Sequence, residues 1–469
     1  MSILAFMIGV GITTLVGWLA VGAAQGRTPV LSRYERLAWG LTLGPTLGMF
    51  SVFLCHVLGL TKLNLTGFLA PQLFLIAILG IFGWKLGTLN FRGPKPYVSR
   101  QSHPRWMTIG IGLLCIWTAI KIIAGAYDLI SVPTYWDDSF NNWNMRGKIF
   151  YMTEELQLEI PGGNGVIVTA GSVGSYPPTL PLMKTFVSVL RGAWHEPLVN
   201  SVHLVWFIGL LSVLYFTLRR SFDPLVSALG IWAIVSLPLI LIHGNNPYAD
   251  IFVAAHVLLA ASALLALRKS HVSSDIQAWT KLFFLTLGLL VFTKNEALLL
   301  HVPLLCLAAV IFEIWHRKNL ALKDHRKTLV TGLCIAVAFA LPWLSFKWMN
   351  GLTFGNAKSV SGVSLTFNPV VLKAIWFHLT HEANWLLLPL VLPLALIAAG
   401  RRFWRSPEAV LGAFVLADIA LQFMLFIMIQ ALATEAINQT GLSRGLLQVA
   451  PVAVLVIFSL WAMMTQETN

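Results

Sequence analysis

The chain has 469 residues, 57% of them hydrophobic and only 11% charged, with a mean hydropathy of +0.76. A soluble domain carries about 25% charged residues, so a water-soluble globule is excluded. The formal net charge of +13 does not point to nucleic acid, because the basic residues sit in short segments between apolar runs, which is how a membrane protein fixes its orientation.

Apolar runs able to cross a hydrocarbon core of about 30 Å recur along the chain. Spans are expected near 3–24, 37–60, 66–87, 106–126, 200–217, 223–243, 248–267, 280–294, 297–315, 328–347, 385–400, 408–430 and 446–464. The expected fold is therefore an all-α polytopic membrane protein with about 13 transmembrane helices. The first run lacks the basic flank of a signal peptide and reads as a retained helix. Cys55, Cys115, Cys306 and Cys334 all fall within apolar runs, lack metal-ligand spacing and read as small core residues.

Sidedness follows from charge. With the N-terminus outside, loops 25–36, 85–105, 218–222, 268–281, 316–327 and 401–407 are cytoplasmic and hold 21 of the 32 Lys and Arg. The opposite assignment violates the positive-inside rule, so the C-terminus is expected in the cytoplasm. Segments 127–199, 348–384 and 431–445 then lie outside and carry Trp, Tyr, Pro, His and Asn in place of basic blocks. Within the first, NWNMRGKIFYM and LPLMKTFVSVLRGAW read as interfacial helices, with Arg146, Lys148, Lys184 and Arg191 staying wet. The organisation expected is an accessory group of helices over 1–105 and a catalytic membrane module over 106–469, which includes the outer loop 127–199.

The chemistry-bearing residues gather in the outer segments. The first loop reads YWDDSFNNWNMRGKIFY from Tyr135 to Tyr151. Only 19 acidic residues occur in the chain, so the adjacent Asp137 and Asp138 near a helix end stand out. One of them can act as a general base, its pKa raised by an apolar wall of Trp136, Phe140 and Trp143. A solvated turn or helix cap is the plainer alternative. Tyr176-Pro177-Pro178 fixes a rigid turn that shapes the loop or lines a cavity. In HGNNPYAD, Tyr248 precedes Asp250, which either caps a descending helix or serves a site at the membrane surface. Lys294 and Glu296 interrupt two apolar runs; they can pair with each other, or Lys294 can neutralise a lipid phosphate. Arg444, the basic residue just before the last span, suits bidentate phosphate binding. His378, His381 and Glu382 have half of a metal-site spacing with no third ligand evident. No Walker loop, dinucleotide fingerprint or nucleophile-elbow serine occurs, so nucleotide-driven transport and serine hydrolysis lack support.

Taken in order and on one side, these motifs resemble the GT-C superfamily of integral membrane glycosyltransferases, which includes protein O-mannosyltransferases and lipid A aminoarabinose transferases. In that superfamily an acidic motif sits in the first long outer loop. Here Trp136, Asp137, Asp138, Trp143 and Lys148 are similar to it, followed by Tyr176-Pro177-Pro178, Tyr248-Ala249-Asp250, Thr293-Lys294-Asn295-Glu296 and Ser443-Arg444-Gly445. The resemblance covers about residues 106–464 and is closest to bacterial members, in the inner membrane. It implies a sugar donor linked to a polyprenyl phosphate and transfer to a lipid, glycan or protein acceptor on the outer face. It further implies Asp137 or Asp138 as base and Arg444 and Lys294 on the donor phosphate. The cavity would be completed by Trp136, Trp143, Lys148, Tyr176, Tyr248, Asp250 and Glu296. No cofactor is required, although the Asp doublet could hold a divalent cation. A lipid-linked glycan transporter or flippase, and an O-antigen ligase or polymerase, are the competing readings; the first predicts ionisable groups near mid-membrane.

Overall fold

The computed structural model describes residues 2–89, 103–134, 137–158, 160–161, 167–168, 173–315, 322–354 and 364–465. Four long helices come first: α1 (Ser2–Gln25), α2 (Arg33–Val57), α3 (Leu65–Leu86) and α4 (Arg105–Ser131). The segment between α4 and α7 follows, with a π-helix (Ser139–Asn144), α5 (Met145–Thr153), a two-residue antiparallel pair β1 (Ile160–Pro161) and β2 (Ile167–Val168), and α6 (Thr179–Arg191). Next come α7 (Glu196–Leu218), α8 (Pro224–Ser236), α9 (Pro238–Gly244), α10 (Asp250–Lys269), α11 (Ser273–Val291), a second π-helix (Ala297–His301), α12 (Val302–Trp315) and α13 (Leu322–Met349). The chain ends with α14 (Pro369–Thr380), α15 (Leu388–Trp404), α16 (Ala409–Met428), α17 (Gln430–Ile437) and α18 (Gly441–Thr465).

Each expected span is helical, those at 223–243 and 297–315 being divided between two helices each. Among the described residues nine helices are long and apolar enough to cross a membrane, and the bent pair α8–α9 makes ten. The others, α11, the π-helix with α12, and α15, are shorter or less apolar. The span expected at 223–243 is not one straight helix: α9 turns 84° from α8. Pro238 at the first position of α9 explains the break, since it lacks an N–H and fits only a new helix start.

Local sequence sets the ends. Ser32 and Glu35 form a reciprocal capping box on α2, Asp223 caps α8 ahead of Pro224, and Gly87 closes α3 at φ 68°. Helix α10 is the centre of the bundle, with 94% of its span buried, against 11% for α4 and for α13 at the rim. It packs on α7, α11 and α18. Apolar sequence on every face suits α10 to protein and the rim helices to lipid, so hydropathy alone does not separate them. Cys115 and Cys334 lie on the rim and are exposed, which corrects the expectation that all four cysteines are core residues.

α1 and α2 cross closely. A Cβ at Gly17 would lie 2.4 Å from the Gly40 carbonyl oxygen, and one at Gly44 would lie 2.0 Å from that of Thr13. Small residues at such crossings let membrane helices gain backbone-to-backbone packing. Both helices also contact α7 and α6, so residues 1–57 share the core of the later helices.

Polar contacts collect at two ends. At one end Arg220 pairs with Glu35 at 2.9 Å, Lys269 with Glu408 at 2.7 Å, Arg268 with Glu313 at 3.2 Å, and His103 lies against Asp223. These contacts join the neighbourhoods of all six basic loops. At the other end lie the first π-helix, α5 and α6. α5 packs on α6, and α6 is enclosed by α1, α2 and α7. That enclosure corrects the expectation of wet charges: Arg146 is 1% and Lys184 0% exposed, while Lys148 is exposed and Arg191 half-buried. A helix surrounded by protein has no wet face to offer.

Candidate functional site

Four separate helix starts and turns deliver one ionic cluster. Asp138 immediately precedes the first π-helix, Asp250 opens α10, Lys294 and Glu296 lie in the break after α11, and Arg444 is in the first turn of α18. Arg444 Nη2 is 2.5 Å from Asp138 Oδ2, and its Nε donates to Asp250 Oδ2 at 2.9 Å. Lys294 Nζ is 3.0 Å from Asp250 Oδ1 and 3.2 Å from Glu296 Oε1. Three carboxylates thus face two cations. Asp250 is fully buried, so its charge depends on this pairing.

The wall of the cluster is aromatic and polar. The guanidinium of Arg444 lies 4.7 Å over the Tyr248 ring, which stacks on His243 at 5.2 Å. His243 Nδ1 is 3.5 Å from Asp250 Oδ2. His203 Nδ1–H donates to the Tyr248 carbonyl at 3.0 Å, and Ser139 Oγ donates to the Pro247 carbonyl at 2.9 Å, which ties the acidic loop to this turn. Tyr176 is buried edge-on to Trp143 at 5.5 Å between ring centres. Burial, reinforced by Glu296 and Asp138, pushes the Tyr176 phenol well above its usual range. Burial likewise raises Tyr248, and it drives the Lys184 ammonium well below the usual lysine range. Lys184 donates to Asn144 Oδ1, whose amide bonds Asn200 at 3.0 Å and Thr134 at 3.1 Å.

The Asp doublet is split. Asp138 joins the cluster, whereas Asp137 is exposed and accepts from Asn141. Of the other expected cavity residues, Trp143, Tyr176, Tyr248, Asp250 and Glu296 lie in or beside the cluster. Lys148 is exposed on α5 and no hydrogen bond or ion pair joins it to them; Phe140 is 61% exposed and forms no wall. Trp136 lies outside the described residues. His378 bonds Glu382 at 2.8 Å, the Ala436 carbonyl at 3.0 Å and Ser443 Oγ at 2.9 Å, which fixes the start of α18. Among the described residues no three His, Cys, Asp or Glu side chains gather as a metal-ion set.

A buried polar chain continues inward from Asp250. Gln448, one turn beyond Arg444 and on the same face of α18, donates from Nε2 to Asp250 Oδ1 at 3.0 Å. Its Oε1 is 2.7 Å from His301 Nε2; His301 Nδ1 is 2.7 Å from Asp418 Oδ2, and Gln422 donates to Asp418 Oδ1 at 2.6 Å. Because a carboxylate only accepts, the Gln448 amide must face Asp250 with its nitrogen. His301 Nε2 is then a donor, and one proton lies between Nδ1 and Asp418. The sequence reading passed over Gln448, His301 and Asp418. A signal was available: Asp418 is the one ionisable residue inside the 20-residue apolar run of α16.

No protein-family model matches the chain, and no curated protein sequence matches it. Its fold does match solved structures. ArnT from Cupriavidus metallidurans in the apo state superposes with a TM-score of 0.51 at 15% identity, and ArnT bound to undecaprenyl phosphate with 0.52 at 14%. Each match covers 76% of this chain and 60% of the ArnT chain, so the protein spans under two thirds of ArnT's length. ArnT is an aminoarabinose transferase of the GT-C superfamily. The chain is an integral, all-α polytopic membrane protein with the fold of the ArnT structures.

Proposed function

We propose that the protein is a membrane glycosyltransferase that moves a sugar from a polyprenyl-phosphate carrier to an acceptor at the outer face of a bacterial inner membrane. The observation that carries this reading is the ion pair between Asp138 and Arg444, a carboxylate suited to act as base and a cation suited to phosphate, on the fold of ArnT. That a structural neighbour binds undecaprenyl phosphate supports the donor class. The N-terminus lies outside and residues 1–105 act as accessory helices to the module that follows.

The roles divide by charge. The acceptor O–H or N–H attacks the anomeric carbon, and its proton passes to the Asp138 carboxylate. The bond from that carbon to the phosphate oxygen breaks, and the oxygen leaves with the electron pair as polyprenyl phosphate. Attack opposite the leaving group inverts the anomeric configuration. Arg444 and Lys294 stabilise the negative charge that develops on the phosphate. As phosphate takes up Arg444, Asp138 is released from its partner, so donor binding prepares the base. Asp250, buried beneath both cations, fixes where they stand.

The test is direct. Protein in nanodiscs is supplied with undecaprenyl-phosphate sugars of several kinds and a panel of lipid, glycan and peptide acceptors, and free undecaprenyl phosphate is measured. Acceptor-dependent release with one pairing is expected. Absence of release with every pairing, in protein that still binds undecaprenyl phosphate, would count against transfer.

A further inference from the structure

A phosphate that takes up Arg444 and Lys294 adds one or two negative charges to a cluster that already sets three carboxylates against two cations. Arg444 and Lys294 are already matched by Asp138, Asp250 and Glu296. Unmatched positive charge sits next to it. Arg146, on α5, is 1% exposed, and Lys347, in the last turn of α13, is 0% exposed. Neither meets a carboxylate among the described residues.

The two cations converge on one short segment. Arg146 Nη2 donates to the Tyr176 carbonyl at 3.0 Å, and Lys347 Nζ donates to the neighbouring Ser175 carbonyl at 2.6 Å. Lys347 also donates to Asn295 Oδ1 at 3.0 Å, between Lys294 and Glu296 in the sequence. Arg146 is left with two buried nitrogens, Nε and Nη1, that have no hydrogen-bond partner. Burying an unpaired charge is costly, and a guanidinium cannot escape the cost by losing its proton. Ring faces moderate it: Lys347 Nζ lies 5.2 Å from the Trp343 ring centre and the Arg146 guanidinium 5.7 Å from that of Phe150. Rings and carbonyls hold cations in place but do not neutralise them. Open guanidinium donors beside a second cation are suited to phosphate oxygens.

We infer that Arg146 and Lys347 form an anion site that takes a phosphate group of a lipid-linked substrate, beside the Asp138–Arg444 pair. The inference rests on the transfer reading for the substrate class. The phosphate belongs either to the polyprenyl carrier or to a phosphorylated acceptor lipid.

The experiment uses full-length protein in nanodiscs of zwitterionic lipid. Undecaprenyl phosphate and undecaprenol are titrated in parallel, as are a phosphorylated glycolipid acceptor and its dephosphorylated form. Wild-type protein is expected to bind one phosphorylated lipid at least tenfold more tightly than its phosphate-free counterpart. Arg146→Gln and Lys347→Gln should each remove most of that preference and leave binding of the phosphate-free lipid unchanged; Arg146→Lys should restore part of it. Loss confined to undecaprenyl phosphate assigns the site to the carrier, and loss confined to the glycolipid assigns it to the acceptor. Folded variants that keep the full preference for both phosphorylated lipids would overturn the site. If the variants do not fold, thermal unfolding of the wild type decides: equal stabilisation by phosphorylated and phosphate-free lipids overturns it. Sugar transfer measured alongside keeps the readings apart. Phosphate-dependent binding without transfer contradicts the proposed function alone, and transfer with unaltered variant binding contradicts the site alone.

Discussion

Arg444 holds Asp138 and Asp250 at once, Nη2 at 2.5 Å from one and Nε at 2.9 Å from the other. Those carboxylates come from the loop after α4 and from the first residue of the central helix, so one guanidinium ties the loop to the core. The guanidinium does this with two separate nitrogens of a rigid fork, whereas an ammonium has one. Arg444→Lys should therefore behave much like Arg444→Ala in a transfer assay. Both are expected to lose about 100-fold or more in rate, the usual cost of removing one preorganised charge-stabilising donor. Near-wild-type turnover by the lysine variant would show that charge alone suffices.

Asp250 is the buried counter-charge to Arg444 and Lys294. Asp250→Ala leaves Lys294 buried with only Glu296 as partner. Removing one member of a buried pair costs about 3–5 kcal/mol, so thermal unfolding in detergent should show a large drop. An unchanged midpoint would mean that the cluster does not bear on stability.

The chain from Gln448 through His301 to Asp418 makes a graded prediction. Asp418→Asn keeps an acceptor for His301 Nδ1, and Gln422 can turn its oxygen, which has no partner now, toward the new amide nitrogen. Asp418→Leu strands both groups in the core. Each buried unsatisfied group costs about 1–3 kcal/mol, so the leucine variant should unfold at a clearly lower temperature than the asparagine variant. Equal midpoints would contradict the hydrogen-bond pattern.

Gly44→Val places side-chain atoms where the Thr13 carbonyl already stands, 2.0 Å from the first of them. α1 and α2 would have to separate. Reduced thermal stability is expected, measured against Gly80→Val as a control, since a Cβ at Gly80 meets nothing within 4 Å. Equal stability of the two variants would show that the crossing is not close-packed.

Much of the fold was legible because the bilayer imposes a length and a charge bias that can be counted. Each expected span is helical, that at 223–243 as the bent pair α8–α9, and Asp138, Asp250, Lys294, Glu296 and Arg444, expected on one side, meet within hydrogen-bond reach. Depth and direction were not legible. α4 and α10 read alike in hydropathy, yet one faces outward and the other is buried throughout. The burial of Lys184 depends on α6 being enclosed by α1, α2 and α7, and that of Arg146 on α5 packing against α6, tertiary facts with no local signature. Asp137 and Asp138 were indistinguishable as neighbours in sequence. Only the approach of Arg444, 306 residues later in the numbering, separates them.

That separation supplies the most direct test of the proposed chemistry. Initial rates of sugar transfer should be compared for the wild type, Asp137→Asn and Asp138→Asn with a functional donor and acceptor. Loss of a general base costs about 10²–10⁴-fold. Asp138→Asn is predicted to fall by at least about 100-fold while still binding undecaprenyl phosphate, and Asp137→Asn to stay close to wild type. Full activity in Asp138→Asn would contradict the assignment of the base.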